Sequence, residues 1–132
     1  MKVVINNCYG GFGLSLKGKK RLGELMGVNV YFYTQNCHTD EFVKVDENSR
    51  DFMVYALTVD LGEKTNKLPN DGWFECEGRD NPCLIQVVKE LGKEANGRCA
   101  ELKIVDIPDG VDWEIQEYDG NEWVAEKHQT WS

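Results

Sequence analysis

Val3-Val4-Ile5-Asn6-Asn7-Cys8-Tyr9-Gly10-Gly11-Phe12-Gly13-Leu14-Ser15, continued by Leu16-Lys17-Gly18-Lys19-Lys20-Arg21, is the stretch from which the fold can be read. A short apolar strand, a glycine-rich turn and a helix opened by a serine follow one another. Residues 2–5 lack apolar–polar alternation, which predicts a strand covered on both faces. Ser15 is a good N-cap, Gly18, Leu22, Leu25 and Met26 fall on one helical face, and Gly27 is placed to end the helix in a left-handed conformation. Lys17, Lys20, Arg21 and Glu24 share another face. Cations near a helix start oppose its macrodipole at a cost of roughly a few tenths of a kcal/mol each, and a bound anion would reverse that sign. Amides freed by the glycines and the helix start therefore predict a corner suited to phosphate or a similar group.

Working outward, residues 28–34 read as a strand with Val28, Val30 and Phe32 alternating against Asn29, Tyr31 and Tyr33. Residues 42–45 form a short alternating strand. The longest apolar run, Phe52-Met53-Val54-Tyr55-Ala56-Leu57-Thr58-Val59, is rich in β-formers and reads as a central strand. Residues 61–80 are irregular, with Pro69-Asn70-Asp71-Gly72 as a turn signal. Asp80 or Asn81 should cap a second helix with Pro82 at its first position. Leu84, Val87, Val88, Leu91 and Ala95 mark its buried stripe; Gly92 would bend or interrupt it and Gly97 stop it.

The last third reads as a three-strand meander over residues 102–107, 111–118 and 122–127, with Asp-Gly in both turns. A two-residue second turn places Ile115 opposite Val124 and Trp123 opposite Gln116. The expected class is thus α+β, a mostly antiparallel sheet with two main helices and a C-terminal three-strand meander, in a single domain over residues 1–132.

The totals bound the function. The chain has 132 residues and a formal net charge of −8, which argues against a general nucleic-acid binder or a protein of anionic membrane surfaces. Charge is uneven: Lys17, Lys19, Lys20 and Arg21 form a basic knot, whereas residues 101–126 hold nine acids against one lysine. A local basic site on an acidic protein suits a small anionic ligand. No run approaches the ~20 apolar residues of a membrane span. The start is too short and too soon polar for a signal peptide, and five cysteines without a repeating spacing fit free thiols in the cytoplasm.

Four constellations bear on chemistry. At the glycine turn, amides near Tyr9, Gly10, Gly11, Phe12 and Gly13 would hold phosphate, with Lys17, Lys20 and Arg21 supplying charge and Tyr9 or Phe12 stacking on a base. The other reading is a tight structural connection with Phe12 in the core, because the lysine and spacing of a P-loop are missing. Trp73, Phe74 and Arg79 could complete a nucleotide pocket, or Arg79 could pair with Asp80 or a sheet acid while the aromatics close the core. His128-Gln129-Thr130 offers an imidazole and a hydroxyl on one side of a strand, but His38-Thr39-Asp40 lacks the matching spacing, so no catalytic residue is assigned. Cys37 and His38 with Cys76, Cys83 or Cys99 lack the paired spacing of a metal site, so neither metal nor cofactor is expected.

The opening Ile5-Asn6-Asn7-Cys8-Tyr9-Gly10-Gly11-Phe12-Gly13-Leu14-Ser15 resembles the start of a family of small proteins of tailed bacteriophages and prophages. Ala100-Glu101-Leu102-Lys103-Ile104-Val105-Asp106-Ile107-Pro108-Asp109 and the stretch from Trp113 to Trp131 are also similar to it. The resemblance implies a phage accessory protein acting in the cytoplasm of the host bacterium. Such proteins include decoys that sequester nucleotide-derived immune signals, which implies a phosphorylated small-molecule ligand and a homo-oligomer with pockets at subunit contacts. A phosphoesterase using His128 and Thr130, or an interaction module using the acidic strands, are the other classes.

Overall fold

The structure is a computed structural model and describes residues 1–9, 11–51, 53–75, 78–98 and 100–126. Strand β1 (Lys2–Asn6) is its organising element. It pairs antiparallel with β6 (Leu102–Asp106), Val4 lying opposite Ile104. Both faces of β1 are covered, as the unbroken apolar run predicts. Val4 packs with Leu14, Leu22, Leu84, Val87, Val88 and Ala95 in a helix-side core. Val3 and Ile5 point the other way, into a second core with Ile107, Val105, Trp113, Ile115 and Val124. Burying each such side chain contributes on the order of 1.5–3 kcal/mol. A one-residue slip would exchange the two sets, so the register is strongly specified.

Helices α1 (Leu16–Met26) and α2 (Pro82–Leu91) supply the first core. Ser15 caps α1, its Oγ accepting from Gly18 N at 3.0 Å, and Gly27 ends it at φ 78°. Asn81 caps α2 by accepting from Cys83 N at 2.8 Å, with Pro82 in the first turn. Gly92 interrupts α2 as expected: the helix stops at Leu91 and a 3-10 turn, Gly92–Ala95, carries the chain on.

A second sheet has the order β4 (Tyr55–Leu57), β2 (Tyr31–Gln35), β3 (Phe42–Val45) and β5 (Lys64–Thr65). The longest apolar run thus yields a three-residue strand at the end of the ladder, and β2 lies inside it. The edge of β4 is closed by the chain around Trp73, where Thr58 N donates to Gly72 O and Phe74 N to Ala56 O. Backbone groups are satisfied there without a further strand, so apolarity alone gave no measure of centrality. In β2, Phe32 and Tyr33 are both buried, so this strand is covered on both faces rather than alternating. β5 falls inside the stretch read as irregular.

The class is α+β, and every strand pairing among the described residues is antiparallel. The three-strand meander divides, however. β7 (Trp113–Tyr118) and β8 (Asn121–Glu126) form a hairpin by themselves, while β6 takes β1 as its partner. Ile107 N donates to Met1 O, and Ile107 and Val111 then turn inward to the second core, which draws the chain away before β7 could align with β6. The hairpin register is the expected one: Ile115 faces Val124 and Gln116 faces Trp123. Asp119 (φ 54°) and Gly120 (φ 87°) give the turn the paired positive φ angles of a type I′ hairpin.

Candidate functional site

The glycine corner is held chiefly by its own backbone. Gly97 N donates to Gly13 O at 2.9 Å and Ser15 N to Ala95 O at 2.9 Å, bracketing a bridge between Leu14 and Asn96. The two chains approach so closely that a Cβ on Gly97 would lie 2.8 Å from the Gly13 carbonyl carbon. Gly11 adopts φ 105°, which only glycine takes readily. Tyr9 is 61 % exposed, and Gly10 lies outside the described residues.

Two of the residues expected to surround a ligand do meet. The Arg79 guanidinium lies 3.6 Å from the centre of the Phe12 ring. The anion they share is internal. Arg79 donates to both oxygens of Glu122, at 2.6 and 2.9 Å, and Asn6 N donates to the same carboxylate at 2.8 Å. Glu122 is 9 % exposed. Burial pushes its carboxyl up, but the hydrogen bonds from Arg79 and Asn6 and the charge of Arg79 outweigh this, and its pKa falls below the usual value. Asn6 is fully buried and completes the junction, with Nδ2 donating to Cys8 O and Gly120 O and Oδ1 accepting from Glu101 N. The arginine is therefore engaged by a sheet acid, one of the two readings open from sequence, and the cluster joins β1, the approach to α2 and the hairpin.

Trp73 belongs to another group. Its indole donates to Pro69 O at 3.1 Å, and its ring meets Tyr55 edge-on at 5.8 Å, which in turn meets Phe42. Of the α1 cations, Lys20 reaches Glu47 and Arg21 pairs with Glu90 and Glu24. The hydrogen bonds from Arg21 and Gln86 hold the Glu90 carboxyl down to about 2. Lys17, Lys20, Arg21, Glu24 and Glu47 line a small surface pocket of about 220 Å³. Two of the four cations of the basic knot, Lys20 and Arg21, are thus met by neighbouring carboxylates.

Lys19 differs. It sits one turn into α1, is partly buried, and lines a pocket of about 320 Å³ with Ser15, Leu16, Ser49, Asn96, Gly97 and Arg98 among its walls. Among the described residues no ion pair or hydrogen bond engages its ammonium, and burial pushes its pKa down. Arg98 donates to Arg50 O at 3.4 Å. Asp51 also lines the pocket, held by the Ser49 hydroxyl at 2.5 Å. No acid stands in the first turn of α1. Leu16 and Lys17, the first helical residues, have no intrahelical acceptor for their N–H groups. Lys19 was visible in the sequence as part of the basic knot; Ser49 and Arg98 carried no local signal, because they reach the pocket from loops far along the chain.

His128 and Thr130 lie outside the described residues, as do Cys76 and Cys99. His38 N donates to Asn36 Oδ1 in an exposed loop. Among the described residues no group of three or more His, Cys, Asp or Glu side chains is arranged to hold a metal ion. No helix there is long and apolar enough to cross a membrane. Compared with protein-family models, with curated proteins and with solved structures, the chain has no significant match.

Proposed function

We propose that this protein binds and sequesters a small phosphorylated molecule, with the anion seated in the Lys19 pocket at the start of α1. One observation carries the reading: a partly buried cation with no acid partner among the described residues lines a pocket beside a helix start free of acids. A phosphate there would gain the ammonium charge, the N-terminal amides and the positive end of the macrodipole together. Arg98 and the Asn96 amide share the pocket wall, where Asp51 already receives the Ser49 hydroxyl hydrogen. At about 320 Å³ the pocket is at the low end of the ~300–1,000 Å³ typical of ligand sites, which suits one phosphorylated group rather than a whole dinucleotide. The resemblance to phage accessory proteins makes a nucleotide-derived immune signal in the host cytoplasm the ligand class to try first, with a homo-oligomer enclosing its remainder.

Calorimetric titration with inorganic phosphate, a nucleoside triphosphate and a cyclic dinucleotide tests this. Lys19→Ser should weaken binding about tenfold or more, as expected for a lost charge-assisted contact, whereas Lys20→Ser and Arg21→Ser should change it little. Ligand recovered intact after denaturation marks sequestration; a linear or dephosphorylated product marks turnover. Affinity indifferent to Lys19→Ser would remove the pocket from consideration.

A further inference from the structure

The hairpin register sorts β7 and β8 into two faces. Trp113, Ile115 and Val124 lie inward in the second core, which fixes the ribbon against β1. The outer face carries Glu114, Gln116 and Tyr118 on β7, and Asn121, Trp123 and Ala125 on β8. Tyr118 is 71 % exposed and Trp123 is 43 % exposed. Large aromatics held this open on a rigid ribbon are the side chains that dominate docking surfaces.

The charge around them is one-sided. Glu114 on the outer face, Asp112 just before β7 and Asp119 in the turn are exposed, and no ion pair among the described residues engages any of them. Glu114 accepts from the Gln116 amide, a neutral donor that supplies no opposing charge. Elsewhere in this region Glu122 is engaged by Arg79, Asp106 by Lys2 and Asp109 by the N-terminal ammonium. Lys103 is the lone base in residues 101–126.

We propose that this face docks a lysine- and arginine-rich segment of another protein, its cations lying over Tyr118 and Trp123 and between the flanking carboxylates. Aromatic faces attract ammonium and guanidinium groups, and unpaired acids around them raise the local cation concentration. The same acids repel nucleic acid and anionic lipid, so a basic polypeptide is the occupant that fits. The site is separate from the Lys19 pocket and stands or falls independently of it.

The test uses the full chain and a fluorescently labelled, lysine- and arginine-rich peptide, followed by anisotropy, with a glutamate-rich peptide as control. Tyr118→Ser and Trp123→Ser keep the net charge, and each should weaken binding about threefold to tenfold. Glu114→Gln with Asp112→Asn should weaken it further and flatten its salt dependence, while the remote pair Glu63→Gln and Asp71→Asn should not. Tyr118 is the more exposed aromatic, so Tyr118→Ser decides the matter if Trp123→Ser disturbs folding. Affinity unaffected by Tyr118→Ser, or lowered equally by the remote charge changes, would show nonspecific attraction and overturn the proposal. Absence of binding to the basic peptide would overturn it as well.

Discussion

Replacing Glu122 by Gln removes the charge but keeps the size of the carboxylate that receives Arg79 and Asn6. The amide retains one oxygen for Asn6 N, while its NH2 group faces the guanidinium. Breaking one side of a buried ion pair typically costs about 3–5 kcal/mol. Arg79 keeps 26 % of its side chain in contact with water, so the lower end, about 3 kcal/mol, is expected here. Unfolding entropies near 2.1 cal/mol/K per residue convert this to a Tm lowered by about 10 °C for a chain of this length. Scanning calorimetry at neutral pH reads that number directly. Because the native carboxyl titrates below its unfolded value of ~4.3, its contribution is complete above that value and is lost as pH falls through the native one. The gap in Tm between wild type and Glu122→Gln should therefore close on acidification. A variant melting within a degree or two of wild type at neutral pH would refute the account, as would a gap that widens in acid.

Three further perturbations probe the same scaffold. Gly97→Ala drives a Cβ to within 2.8 Å of the Gly13 backbone and should cost about 2 kcal/mol, read as a lowered urea midpoint with an unchanged m-value. Ser15→Ala removes the α1 cap, including the bond from Gly18 N, and should cost about 1 kcal/mol in the same assay. Asn6→Ala leaves Cys8 O, Gly120 O and Glu101 N short of a partner in a buried junction, and about 3 kcal/mol is expected from thermal melts.

Features whose physics is local were readable in advance. Ser15 and Gly27 mark both ends of α1, Asn81 and Pro82 open α2, and Asp119-Gly120 sets the hairpin register residue by residue. What depended on distant partners was not. Glu122 looks like any other acid on the hairpin, because its cation lies 43 residues away. The run around Tyr55 is apolar enough for a central strand, yet its outer edge is closed by the loop at Trp73. The basic knot was legible as a group, but its members' different fates were decided by Glu47 and Glu90 on other elements. Arg79, foreseen as a phosphate contact, meets a carboxylate the chain supplies itself, and Lys19, which lines the pocket at the start of α1, stood out in the sequence only as part of the basic knot.

The pairing of β1 with β6 has a consequence in time. The ladder partner of Val3 to Ile5 is made roughly a hundred residues after them. At translation speeds of ~5–20 residues per second, that interval is on the order of 5–20 s. Throughout it, one of the most water-averse segments of the chain lacks its strand partner, and non-local pairings of this kind close slowly. Helper proteins that cover nascent apolar chain would therefore find a foothold at β1, and release it once β6 arrives.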